Sequence, residues 1–347
     1  MRIKTVCIEI TTRCNLNCIT CYNRSGLNTM TNELSIKDIE HIIVVCSRYG
    51  ATRFLFSGGE PSLHSHFHDL LLLIDRYQQF DFGFVTNGTV HDEAWIDFLN
   101  AHDNITIQVS LDGSCEDTNK LTRREGHFER AVGFIKKLRT VTRKPLLKMV
   151  VSQKNIHDVE KYYRFAVSLG CMPEFAFIYC AGNGSESWES KALSAHQKLS
   201  VLRLVRQLNA EYGIEAYLPT CTVRCPFSVG AEAMSIAIKT SGMIQPCQNL
   251  YSDEYSIGSI FDFQEREMYE RIDALIALAK RRTLKDYGCG KCILRDTCGK
   301  GCMSEAVNCF DDPLENDGNC LFRKLQFLDM YVKEQADDAL QKEKLNG

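Results

Sequence analysis

Val6-Cys7-Ile8-Glu9-Ile10 runs straight into Thr11-Thr12-Arg13-Cys14-Asn15-Leu16-Asn17-Cys18-Ile19-Thr20-Cys21-Tyr22. The first stretch is short, apolar and β-branched, which reads as a strand. The second puts three thiols, spaced C-x3-C-x2-C, on a polar loop at that strand's end. In parallel βα arrays functional groups gather where strands hand over to loops. The pattern continues downstream. Strand-like runs at Arg53–Ser57, Phe82–Thr86, Ile105–Ser110, Leu146–Val151 and Phe175–Cys180 alternate with helical periodicity. The helical stretches lie near Ile36–Tyr49, Phe67–Gln78, Glu93–Asn100, Phe128–Arg139, Asn155–Leu169 and Leu193–Tyr212. Ser35 and Asn155 stand where a side-chain oxygen caps a helix start. Six βα units in series predict an α/β fold of parallel strands with right-handed crossovers, in an open sheet or a barrel-like array.

Four more strand ends carry unusual residues: Ser57-Gly58-Gly59-Glu60-Pro61, Thr86-Asn87-Gly88, Ser110-Leu111-Asp112-Gly113 and Cys180-Ala181-Gly182-Asn183-Gly184. Three thiolates on one tight loop hold three irons of a 4Fe–4S cluster and leave the fourth open to a small chelating molecule. Structural zinc takes four protein ligands, so the triplet disfavours it. Gly58 and Gly59 allow close backbone approach to a ligand, and Glu60 is placed to accept from an ammonium group.

After Tyr217 the alternation stops and cysteine density rises. A hairpin is expected from Met234–Ile238 through Ser241-Gly242 to Met243–Pro246, a helix near Phe263–Arg282, and a charged, solvated helical tail over Leu321–Gly347. Composition excludes several classes. The 347 residues carry 41 basic and 44 acidic side chains, net −3, which gives no case for bulk nucleic-acid or membrane-surface binding. The longest apolar run, Leu70–Ile74, is far below the ~18 residues of a membrane span, and no signal peptide is visible, so a cytoplasmic setting is expected. Seventeen cysteines without a secretory signal point to metal ligation rather than disulfides.

The C-x3-C-x2-C loop followed by Gly58-Gly59-Glu60-Pro61 resembles the radical S-adenosylmethionine (SAM) enzymes. That resemblance implies a partial, TIM-like (β/α)6 barrel over residues 1–217. It implies that Cys14, Cys18 and Cys21 hold the catalytic cluster, whose open iron chelates SAM. It also implies that Gly58, Gly59 and Glu60 hold the SAM amino group, that Asn87 and Ser110 contact its ribose or methionine part, and that Arg123 meets its carboxylate. Thr20 departs from the pattern, since many members have an aromatic residue there.

A second array, Cys289-x2-Cys292-x5-Cys298-x3-Cys302 with Cys320 beyond it and Cys221, Cys225 and Gly242-x4-Cys247 before it, resembles the Cys-rich SPASM domain, here 218–325, with 326–347 as tail. The resemblance implies two auxiliary 4Fe–4S clusters, three in all. One would be held by Cys221, Cys225, Cys247 and Cys302, the other by Cys289, Cys292, Cys298 and Cys320. Six cysteines remain: Cys7, Cys46, Cys115, Cys171, Cys180 and Cys309. Cys7 and Cys46 read as buried thiols, and His64, His66 and His68 as solvated or capping.

The chemistry implied is reductive cleavage of SAM to a 5′-deoxyadenosyl radical, which removes a hydrogen atom from a ribosomally made peptide to form a carbon-centred crosslink or a related oxidation. The partner implied is a reductant such as flavodoxin or ferredoxin; because the chain begins its first strand at once, the leader is expected to be recognised by a separate protein or by the catalytic domains directly. Gln248 stands where sulfatase-maturing relatives carry an aspartate base, and Cys221 supplies a fourth ligand where thioether formers leave an iron open, so both subclasses are demoted. Oxidation of a small molecule is the alternative. A non-catalytic iron–sulfur or zinc-ribbon protein is disfavoured by the Gly-Gly-Glu-Pro loop.

Overall fold

The computed structural model describes residues 2–27, 31–138, 143–217, 225, 227, 233–250, 252–282 and 289–332. Six strands follow one another in register and all run parallel: β1 (Arg2–Thr11), β2 (Arg53–Gly58), β3 (Asp81–Thr86), β4 (Ile105–Ser110), β5 (Leu146–Val151) and β6 (Met172–Phe177). The crossovers are α1 (Ile36–Arg48), α2 (Phe67–Asp75), α3 (Glu93–Ala101), α4 (Glu116–Asn119) with α5 (His127–Lys137), and α6 (Val159–Ser168); α7 (Ala195–Tyr212) follows β6. This is the partial (β/α)6 barrel. On the other side of β1 the sheet continues through β7 (Ala233–Ile238), parallel to β1, and antiparallel β8 (Met243–Gln245) and β9 (Gly258–Ser259). The hairpin read from Met234–Pro246 is therefore β7–β8. After it come α8 (Glu265–Arg281), α9 (Arg295–Cys298), α10 (Met303–Phe310) and α11 (320–332). No helix among the described residues is long and apolar enough to cross a membrane.

Period-2 alternation sorts the strand residues. Val6, Ile8, Ile10, Phe54, Phe56, Phe82, Phe84, Ile107, Val109, Leu147, Met149 and Phe175 are buried under the helices. Phe56 stacks on Phe82 at 6.0 Å and Trp95 lies 4.9 Å from Phe134. The opposite, inner face carries Glu9, Ser57, Gln108, Ser110, Lys148 and Glu174, with Lys148 and Glu174 paired at 3.0 Å. Ser35 and Ser194 each form a capping box.

Four sequence expectations are corrected. Strand β6 begins and ends three residues earlier than Phe175–Cys180. Its Pro173 lies on an edge strand, where the missing N–H costs no ladder bond. Asn155 caps no helix: its buried amide donates to Asp112 and Val150 carbonyls and accepts from Ser152. His64 is buried, its Nε2 2.8 Å from the Leu34 carbonyl, because it follows a 3-10 turn that tucks it under the loop before α1. Finally α11 is not merely solvated. Phe322 is buried, and Asp329 pairs with Arg203 and Arg206 of α7. Residues 333–347 of the expected tail lie outside the described residues.

Candidate active site

Strand β1 delivers its loop to the top of the sheet, and glycines decide how tightly it packs. A Cβ on Gly58, itself at φ +127°, would stand 2.3 Å from the Thr11 carbonyl oxygen. One on Gly59 would be 2.1 Å from that of Arg13, and one on Gly26 2.0 Å from that of Leu16. The Gly59 and Glu60 N–H groups donate to the Thr11 and Arg13 carbonyls, both at 2.7 Å. Gly58 and Gly59 thus brace the cysteine loop from behind. The far side is held from β6: Asn183 N–H donates to the Cys21 carbonyl at 2.8 Å, its Nδ2 to that of Cys18 at 2.9 Å. The buried Lys191 ammonium donates to the Ile19 and Asn183 carbonyls.

Cys14, Cys18 and Cys21 stand close enough for their sulfurs to interact. Burial, with smaller contributions from Glu60, Cys18 and Cys21, pushes the Cys14 thiol up to about 12. Burial pushes Cys18 to about 11 against the pull of Arg123, whose Nη1 is 3.8 Å from its sulfur. Thiols so placed give up their protons only to a cation that replaces them, as cluster iron does. Among the described residues no three His, Cys, Asp or Glu share one ion's geometry. A 4Fe–4S cluster asks less, since each thiolate binds its own iron.

Beside Cys14 opens a cleft of about 440 Å³ lined by Asn15, Leu16, Asn17, Gly26, Arg123 and Arg124. That size holds a small cofactor. Of the expected SAM contacts only Arg123 lines it, 2.9 Å from the buried Asp112 carboxylate. Asn87 stands one step behind, donating to Asn15 at 2.9 Å. Ser110 ends β4 on the inner face, in register with Lys148. Glu60 turns inward, where burial raises its pKa against its hydrogen bonds. Oε1 accepts from Thr86 Oγ1 at 2.6 Å and from Ser62 Oγ and N–H, and Oε2 from Asn87 N–H at 2.7 Å. Glu60→Ala is expected to leave these buried donors unpaired, at about 1–3 kcal/mol each. It should lower the thermal midpoint and, through Asn87 and Asn15, weaken SAM binding about ten- to a hundred-fold. Calorimetry reading native melting and native affinity would remove both roles.

The sequence reading missed Asn15, Asn17, Arg124, Asp112 and Glu9. Glu9 was signalled by an acid between Ile8 and Ile10, and burial, only partly offset by Lys239, pushes it to about 7. An unfolded glutamate titrates near 4.5. Between those values the folded chain binds a proton the unfolded chain lacks, so stability falls as pH rises through this window. Glu9→Gln should flatten that part of the stability–pH curve, measured by denaturant titration. An unchanged slope would place Glu9 in contact with water.

Two further groups of thiols form in the C-terminal part. Burial pushes Cys247 to about 12, with Cys302 and Cys225 acting on it. The Cys302 thiol is raised in turn by burial of its sulfur and by Glu305, with Cys225 a lesser cause. Cys289 is raised by burial and by Cys292, Cys298 and Cys320, against Lys300. Cys221 lies outside the described residues. Arg282, fully buried, interacts with Cys225 and Cys302 and donates to the Lys300, Gly301 and Glu315 carbonyls. Its Nε has no partner. A buried N–H left over beside two thiols fits an anionic cluster there. Gln248 is exposed, as is Cys115, while Cys7, Cys46 and Cys171 are buried. Cys180 is buried beside Cys309, its sulfur 3.9 Å from the Asn308 carbonyl.

Residues 8–166 match the radical SAM superfamily. The chain carries a radical SAM domain. An AdoMet-dependent heme synthase from Methanosarcina barkeri is 27% identical, over 91% of this chain and 95% of that protein. The mycofactocin maturase MftC of Mycolicibacterium smegmatis is 24% identical, over 85% of this chain and 77% of its own length. The fold is that of Streptococcus suis SuiB bound to S-adenosylmethionine (TM-score 0.73, 16% identity, 90% of this chain and 76% of that one). It is also that of anSMEcpe with AdoMet and the Cp18Cys peptide (TM-score 0.72, 19% identity, 96% and 99%).

Proposed function

We propose that the radical SAM domain is joined to a SPASM domain, and that the enzyme oxidises a ribosomally made peptide to a carbon-centred crosslink or a related product. The observation that carries this reading is the separation of the thiols into three groups: Cys14, Cys18 and Cys21; Cys225, Cys247 and Cys302; and Cys289, Cys292, Cys298 and Cys320. In this reading each group holds a 4Fe–4S cluster, with Cys221 completing the second. When bound, the first cluster and SAM supply a 5′-deoxyadenosyl radical that takes a hydrogen atom from an unactivated carbon.

The chain's own residues do the rest. Gly26, Gly58, Gly59, Asn183 and Lys191 fix the cysteine loop, and Arg123 puts positive charge beside Cys18. The inner face supplies polar groups for a substrate, and Glu9, with its raised pKa, is suited to take the proton the oxidised substrate loses. Exposed Gln248, an amide, has no usable basicity. A reductant such as flavodoxin or ferredoxin would supply the electron for SAM cleavage.

A maturase among the relatives, and a likeness to proteins solved with peptides, support a peptide substrate. The full-length similarity to an AdoMet-dependent heme synthase favours a second reading, oxidation of a tetrapyrrole. Anaerobically reconstituted protein is expected to hold about twelve irons and twelve sulfides per chain, by iron and sulfide assay; iron near four with stoichiometric zinc would sink the auxiliary clusters. With SAM and reductant, a precursor peptide encoded beside the gene should lose two hydrogens, about 2 Da by mass spectrometry, its cysteines remaining alkylatable. An untouched peptide together with conversion of a haem precursor would establish the second reading instead.

A further inference from the structure

Tyr179, two residues beyond β6, reaches across to the C-terminal part of the chain. Its phenol oxygen lies 2.8 Å from Cys302 Sγ and 3.4 Å from Ser304 Oγ. Ser304 spends its own proton on the Asn249 carbonyl at 2.6 Å. As a thiol, Cys302 can donate or accept. As a metal-bound thiolate it can only accept, and at 2.8 Å it is the nearer of the phenol's two acceptors, so the tyrosine proton is directed at sulfur rather than at the Ser304 oxygen 3.4 Å away.

The same short segment ends on the catalytic loop. Gly182, at φ +57°, packs so closely that a Cβ there would stand 2.4 Å from the Cys21 carbonyl oxygen and 2.3 Å from that of Tyr22. Asn183 donates to the Cys21 and Cys18 carbonyls. Five residues, Tyr179 to Asn183, therefore touch ligand residues of two different thiol groups.

We propose that Tyr179 is a positioning residue for the auxiliary centre: it donates a hydrogen bond to the Cys302 thiolate and sets the reduction potential of the cluster held there, while Gly182 and Asn183 tie that centre to the catalytic loop. The proposal rests on the reading of Cys225, Cys247 and Cys302 as cluster ligands. A donor to a ligand sulfur stabilises the more negative, reduced cluster more than the oxidised one, and so raises the potential.

The test is a redox titration of the reconstituted holoenzyme followed by electron paramagnetic resonance. Tyr179→Phe keeps the ring and removes the donor. It is expected to lower the auxiliary midpoint by about a tenfold change in the reduced-to-oxidised ratio, which is 59 mV for one electron. Site-specific 3-fluorotyrosine at 179, a more acidic donor, should shift it the other way. An unchanged midpoint in both proteins at native iron content overturns the proposal and leaves the cluster assignment standing. Wild-type protein with iron near four and no auxiliary signal overturns the assignment, and the proposal with it.

Discussion

Cys18→Ala is expected to abolish release of 5′-deoxyadenosine from SAM, measured by liquid chromatography under reducing conditions. The reason is geometric before it is chemical. Cys18 is the middle thiol of the loop, its carbonyl held by Asn183 and its sulfur facing Arg123. Alanine leaves the backbone restraints intact, so the loop keeps its path with one corner lacking its ligand. Two ligands cannot present a cluster with a single open iron. The guanidinium also loses its sulfur acceptor while keeping its pairing with Asp112 at 2.9 Å. Native levels of cleavage in this variant would show that another thiol set carries the catalytic cluster.

Gly59→Ala should have nearly the same outcome without removing a single ligand. The added methyl would meet the Arg13 carbonyl oxygen at 2.1 Å and that of Thr12 at 2.9 Å, both backbone. Neither can rotate away as a side-chain tip can. The loop must move instead, and the Gly59–Thr11 and Glu60–Arg13 hydrogen bonds stretch with it. Overpacking of this kind costs about 1–3 kcal/mol. Reconstituted protein should come back about four irons short of wild type, with the C-terminal clusters retained and SAM cleavage lost. Full iron content and undiminished turnover would mean the loop tolerates displacement.

Strands β2 to β5 were legible to within a residue because their period-2 pattern is uninterrupted and each ends in a polar turn. Strand β6 was not, since Pro173 at its start masks the pattern. The proposed division of the cysteines rests on spacing and resemblance. The orientation of Glu60 was not legible. A carboxylate in a Gly-Gly-Glu-Pro loop reads the same whether it faces a ligand or turns inward, and only the donors waiting at Thr86, Asn87 and Ser62 decide. Tyr179 was invisible for a different reason: its partner Cys302 lies 123 residues away, and no local pattern reports a contact of that range.

The parallel pairing of β7 with β1 has a consequence for how the protein comes apart. Strand β1 lies between β2 and β7, so the strand that launches the cysteine loop borrows half of its ladder from beyond residue 230. A chain cut after Tyr217 would leave β1 as a ten-residue open edge with its N–H and C=O groups bared. Such an edge invites pairing with other chains. Shortening the protein to its first six strands should therefore yield aggregates rather than a minimal enzyme.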